Sequence, residues 1–114
     1  MSLSMTDEMH GPAVVVRLSG QLDTLTAKPF ESHLAKQIAE GQKRIIVDLG
    51  EVNYVSSYGL RVFLLTAKQL RSDRRAFILC RLTPEVKKIF RISGFDKILA
   101  ICETLEDAVA LASE

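Results

Sequence analysis

Apolar residues at Val14, Val16 and Leu18 alternate with their neighbours, the two-residue period of a strand with one face turned inward. Gly11-Pro12 ahead of it is a turn signal, and the less apolar stretch from Leu3 to Met9 reads as a weaker strand pairing with it in a hairpin. Gly20-Gln21-Leu22-Asp23 is expected to break the second strand. The period then changes. Ala27, Phe30, Leu34 and Ile38 recur at spacings of three and four, one face of a helix that Asp23 or Thr24 would cap, running to about Glu40 with Gly41 as its stop.

Ile45 to Leu49 is a short, β-branched run that suits a buried strand. Gly50 to Val55 leads into Ser56-Ser57-Tyr58-Gly59, and a second helix follows. Leu60, Phe63, Leu64, Ala67 and Leu70 form its inner face, with Arg61, Lys68, Arg71 and Arg74 largely outside it. Ala76 to Cys80 is another buried strand. Thr83-Pro84 reads as a cap and first helical position, Val86, Ile89 and Phe90 as the face of a short helix, and Gly94 as its end. Ile98 to Ile101 is the last strand. Thr104-Leu105-Glu106-Asp107 resembles a capping box with Asp in place of Glu, opening a helix whose core side is Leu105, Ala108, Val109 and Ala112. The order ββαβαβαβα predicts one α/β domain: a mixed sheet of four or five strands, about four helices and right-handed crossovers.

A chain of 114 residues fits one domain, and 47% apolar residues supply a core and exclude disorder. The formal net charge of +1 argues against a general nucleic-acid binder, which carries a basic excess. No apolar run approaches the roughly 18 residues a membrane span needs, so direct membrane insertion is not expected. Met1 to His10 lacks the pattern of a secretory signal. Cys80 and Cys102 are far apart in sequence and lie in or beside apolar runs, so they read as buried free thiols in a cytoplasmic protein. Met5 offers a second start, which would make Met1 to Ser4 an expression remnant.

Catalytic signatures are missing. His10 and His33 are isolated, so no zinc site is expected, and neither common nucleotide loop nor a nucleophile elbow occurs. Asp23 and Asp48 lie at predicted strand ends and could act as an acid pair, but a helix cap and a strand end explain them more simply. Ser56-Ser57-Tyr58-Gly59 is the most informative segment, with Ser57 at or near a helix N-cap. A serine there can be a plain cap, worth about 1 kcal/mol. Periodicity alone favours the cap, but the position can also tolerate a phosphate, because a helix start presents free N–H groups and the positive end of the macrodipole. Arg71, Arg74 and Arg75, at the far end of the same helix, are read as favouring the negative C-terminal dipole rather than nucleic acid.

The stretch Asp48–Leu65, DLGEVNYVSSYGLRVFLL, resembles the signature of the STAS family of sulphate-transporter tails and bacterial anti-sigma factor antagonists. Arg17 to Asp23 looks like that family's second strand and Gly-x-Leu-Asp turn, and Leu82 to Phe90 with Ser93-Gly94-Phe95 looks like its third-helix region. The matches span nearly the whole chain in order. The resemblance implies a regulatory protein without enzymatic activity or cofactor. It would bind an anti-sigma factor serine kinase, be switched off by phosphorylation at Ser57, and be restored by a serine phosphatase. Ser56 is the second choice of acceptor.

By position, the contact surface implied is Asp23, Thr24, Asn53, Ser56, Tyr58, Gly59 and Arg61, with Tyr58 the best candidate anchor and Arg61 a solvated charge. Two positions depart from the pattern. Ser56 stands where Asp is usual, which removes a charge and an acceptor beside the hydroxyl, and Tyr58 stands where a small residue is usual, which covers the site or adds contact area. The family also includes transporter domains, so a separate accessory subunit docking on an ABC-type membrane transporter is the alternative.

Overall fold

The computed structural model describes residues 2–114. A five-stranded sheet has its strands in chain order: β1 (Leu3–His10), β2 (Ala13–Leu22), β3 (Arg44–Val55), β4 (Ala76–Cys80) and β5 (Ala100–Cys102). The β1–β2 pair is an antiparallel hairpin and the remaining pairs are parallel. Each parallel step crosses over through a helix: α1 (Ala27–Ala39), α2 (Ser57–Ser72) and α3 (Pro84–Ser93), the last followed by a 3₁₀ turn at Phe95–Lys97. A final helix, α4 (Leu105–Ala112), closes the chain. The expected fold class and element order are those observed.

Alternation along the strands divides the core in two. Val14, Val16, Leu18, Ile45, Val47, Leu49, Phe77 and Leu79 face the larger cluster with α1, α2 and α3. Ala13, Val15, Ile46, Ile78 and Cys80 face the other side, where α4 covers them with Ala108 and Ala112. One phenylalanine from each large-face helix meets at its centre. The Phe30 and Phe63 rings are 5.4 Å apart, edge to face, and Phe63 and Phe90 are 5.7 Å apart. Thr83 and Thr104 cap α3 and α4 through their side chains, as their spacing indicates.

Several boundaries differ from expectation. β2 does not break at Gly20, and β3 runs on through Gly50 to Val55. The two strands stay paired from Arg17↔Asp48 to Leu22↔Val55, across two register shifts. Gly20, with φ +123°, is a close-approach position, since a Cβ there would lie 2.3 Å from the Ser2 carbonyl oxygen. Helix α1 begins only at Ala27, with residues 23–26 forming a turn. On α2, Val62 and Thr66 are buried while Leu60, Leu64 and Ala67 are half-buried, because the helix packs on both α1 and the sheet. Ile98 is exposed beyond the 3₁₀ turn, so β5 starts at Ala100. No helix of the described residues is long and apolar enough to cross a membrane.

Candidate functional site

The extended β2 and β3 deliver two loops to one end of the sheet. Ser56 N–H donates to the Leu22 carbonyl at 2.8 Å, so the end of β2 and the start of α2 are joined directly. The Ser56 side chain, only 8% exposed, is the N-cap, its Oγ accepting from Gly59 N–H at 3.2 Å. Ser57 is the first helical residue, and it is exposed. The expected cap role thus falls on Ser56. Adjacent residues at a helix entry point in different directions, and only Ser56 can turn its oxygen back onto the third N–H of the turn. No acidic residue occupies the first turn of α2, so its positive end has no counter-charge from its own turn.

Gly59 is buried, and a Cβ there would lie 2.8–2.9 Å from the Leu22 side chain and 3.0 Å from Val55. Only glycine lets the helix start sit this close to the ends of both strands. Ser56 and Gly59 therefore support the site from beneath, whereas Asn53, Ser57, Tyr58 and Arg61 are exposed.

The neighbouring loop is shaped by Asp23. Its Oδ1 accepts from Leu25 N–H at 2.9 Å and Thr26 N–H at 3.0 Å. The Thr26 backbone hydrogen bond, against the opposing effect of burial and helped by the Leu25 hydrogen bond, holds the Asp23 carboxyl below the usual carboxylate range. Thr26, buried and not singled out in the sequence, donates its hydroxyl to the Gln21 carbonyl at 2.8 Å and accepts from Asp23 N–H at 2.9 Å. Asp23 is thus occupied inside its own loop. That loop pushes Leu25 outward to 80% exposure and leaves Thr24 exposed beside it. Thr24, Lys28 and Glu31 face Tyr58 and Arg61 across a groove of about 170 Å³.

Tyr58 is 58% exposed and Tyr54, at the end of β3, 45%. Leu25 was missed in the sequence because exposure of an apolar loop residue leaves no periodic signal.

Asp48 and Asp23 do not form an acid pair. Asp48 is fully buried in mid-strand rather than at a strand end. It accepts from Arg17 Nε at 3.2 Å, Arg81 Nη1 at 3.0 Å and Gly50 N–H at 2.9 Å. The Arg81 guanidinium lies over Gly50, where a Cβ would be 2.6 Å from its central carbon. The Asp48 hydrogen bond and charge raise the Arg81 pKa. The cysteines also differ from expectation. They are free, but Cys80 and Cys102 stand side by side in the β4–β5 register, and Cys102 is only half-buried. Burial, with the Asp48 charge, pushes the Cys80 thiol up to about 12.

Comparison with known proteins agrees with this architecture. The family model described as STAS domain matches residues 4–108. The chain belongs to the STAS domain family. BtrV of Bordetella bronchiseptica, named as an anti-sigma factor antagonist, is 41% identical over 96% of this chain and 93% of its own length. An anti-sigma factor antagonist from Mycobacterium paratuberculosis superposes with a TM-score of 0.92 at 26% identity, covering 99% of this chain and 96% of that one. The anti-sigma factor antagonist SpoIIAA, also described as a Bacillus cell fate determinant, has been solved in two forms. The unphosphorylated form gives a TM-score of 0.78 at 26% identity over 93% of each chain. The phosphorylated form gives 0.71 at 25% identity, covering 94% of this chain and 97% of that one.

Proposed function

We propose that this chain is an anti-sigma factor antagonist that docks on an anti-sigma factor serine kinase through the Ser57 end of the molecule. Phosphorylation of Ser57 releases it, and a serine phosphatase resets it. The observation that carries the reading is the division of labour between adjacent serines: Ser56 is buried and spent as the cap, while Ser57 is exposed beside it. A phosphate on Ser57 adds about −1.5 to −2 charges at the uncompensated positive end of α2. The fold tolerates it there, since no structural hydrogen bond depends on that side chain. Docking does not, since the charge falls among Leu25, Tyr54 and Tyr58, exposed groups suited to a desolvated contact. The relatives named as anti-sigma factor antagonists, and SpoIIAA with its phosphorylated form, support this assignment.

The test is incubation with the serine-kinase anti-sigma factors of the source genome and ATP, followed by phosphopeptide mapping and calorimetric binding. One phosphate on Ser57 is expected, with Ser57→Asp weakening binding at least tenfold while melting near wild type. Tyr58→Ala should cost on the order of 2 kcal/mol of affinity. Phosphate on another residue, or wild-type binding by Ser57→Asp, would refute the switch.

A further inference from the structure

At the opposite end of the sheet lies a cleft of about 440 Å³ that the Ser57 reading does not use. Arg44 at the start of β3 pairs with Ala76 at the start of β4, whereas Ser57 follows the other end of β3, so the two sites are at opposite poles. Arg71, Arg74 and Arg75 line the cleft, Phe77 and Leu99 contribute apolar surface, Ile98 lies 43% exposed beside them, and no carboxylate lines it.

Two of the arginines are held in place by the fold. Arg71 Nη2 donates to the Ile98 carbonyl at 3.3 Å, and Arg75 Nη1 to the Ile38 and Gln42 carbonyls at 3.0 and 3.4 Å, with Asp73 3.9 Å from Arg75 Nε. Arg74 is different. It is exposed and makes no side-chain hydrogen bond or ion pair among the described residues. Its φ is +59°, the left-handed conformation just past a helix end that favours glycine or asparagine. These carbonyl contacts account for Arg71 and Arg75, but not for the strained, unpartnered arginine beside them. Nearby in sequence, exposed Lys43, Lys68 and Lys97 are balanced by Glu40, Asp73 and Asp96, so the positive excess is that of the lining arginines.

We propose that this cleft is a second docking site, for an acidic segment of a partner protein that carries apolar side chains between its carboxylates. Oriented guanidinium forks match carboxylates in two-point contacts, and the apolar wall takes the intervening side chains. The cleft is open and edged with charge, unlike the enclosed, mostly apolar cavities that surround small ligands, so its occupant has to bring its own cover. Because the poles are separate, this site can be filled while the Ser57 end is engaged.

The test uses the intact chain and a fluorescein-labelled peptide of alternating Glu and Leu, with a Lys-Leu peptide as control. Fluorescence anisotropy should show salt-sensitive binding of the acidic peptide alone, and amide shifts should map to residues 67–77 and 97–100. Arg74→Gly relieves the backbone strain, so it should melt at or above wild type yet bind the peptide about tenfold more weakly. Ser57→Asp should bind the peptide as wild type does, which separates this site from the proposed switch. Unchanged binding by Arg74→Gly, or shifts mapping elsewhere, would overturn the proposal. So would displacement of the peptide by inorganic phosphate or duplex DNA at lower concentration than by unlabelled peptide, since the cleft would then be a general anion site.

Discussion

Alanine at Ser56 and at Ser57, taken separately, divides structure from signalling at the start of α2. The Ser56 Oγ accepts the Gly59 N–H at 3.2 Å, and both residues are buried. Ser56→Ala therefore removes the cap and strands a donor that water does not readily reach. The cost lies in the upper part of the usual capping range, about 1–2 kcal/mol. For a chain of 114 residues, with unfolding entropy near 2.1 cal/mol/K per residue, that lowers Tm by about 4–8 °C. Ser57→Ala changes an exposed side chain at a position where alanine is a good helix former, so its effect stays within about 0.5 kcal/mol, or roughly 2 °C. Scanning calorimetry and urea titration measure both, and an unchanged m-value keeps the comparison between like states. The reverse ranking, with Ser57→Ala the more destabilising, would show that Ser57 is the structural serine and remove the physical basis of a switch that spares the fold.

Further expectations follow from the same geometry. Gly59→Ala forces a Cβ against Leu22 and Val55 at 2.8–3.0 Å and should cost about 1–3 kcal/mol in urea unfolding; wild-type stability would mean that α2 can shift freely. The Asp23 carboxyl is held below its ordinary range by the Thr26 and Leu25 N–H groups, so its contribution is present above the unfolded value near pH 3.9 and is lost as pH falls through the lower folded value. The protection factors of the Leu25 and Thr26 amides, corrected for the intrinsic pH dependence of exchange, should fall in that acidic window and remain constant between pH 5 and 7; loss of protection already at pH 6 would contradict this. Cys80, buried with its thiol near 12, should resist iodoacetamide at pH 8 in the native protein, while half-buried Cys102 reacts slowly. Mass spectrometry reads the difference, and equal labelling of both would contradict the burial described.

Local pattern carries what depends only on neighbours along the chain. The alternation at Val14, Val16 and Leu18 and the three-and-four spacing of Ala27, Phe30 and Leu34 each fix which side faces inward, and Thr83 and Thr104 cap their helices from within a single turn. Those signals determined the element order, and with it the α/β class and the position of a loop-to-helix junction at Ser56-Ser57. Tertiary structure decided whatever depends on residues distant in sequence. Gly20 and Gly50 punctuate a local reading, but the β2–β3 pairing carries both strands past them. Asp48 became the buried partner of Arg17 and Arg81, and Cys80 the neighbour of Cys102, only through strand register. Which of the two adjacent serines caps α2 was decided in the same way, by the Leu22 carbonyl that fixes the Ser56 backbone and by the packing that buries its side chain. A hydroxyl's direction follows from the surface it is pressed against, and that surface exists only once the sheet has formed.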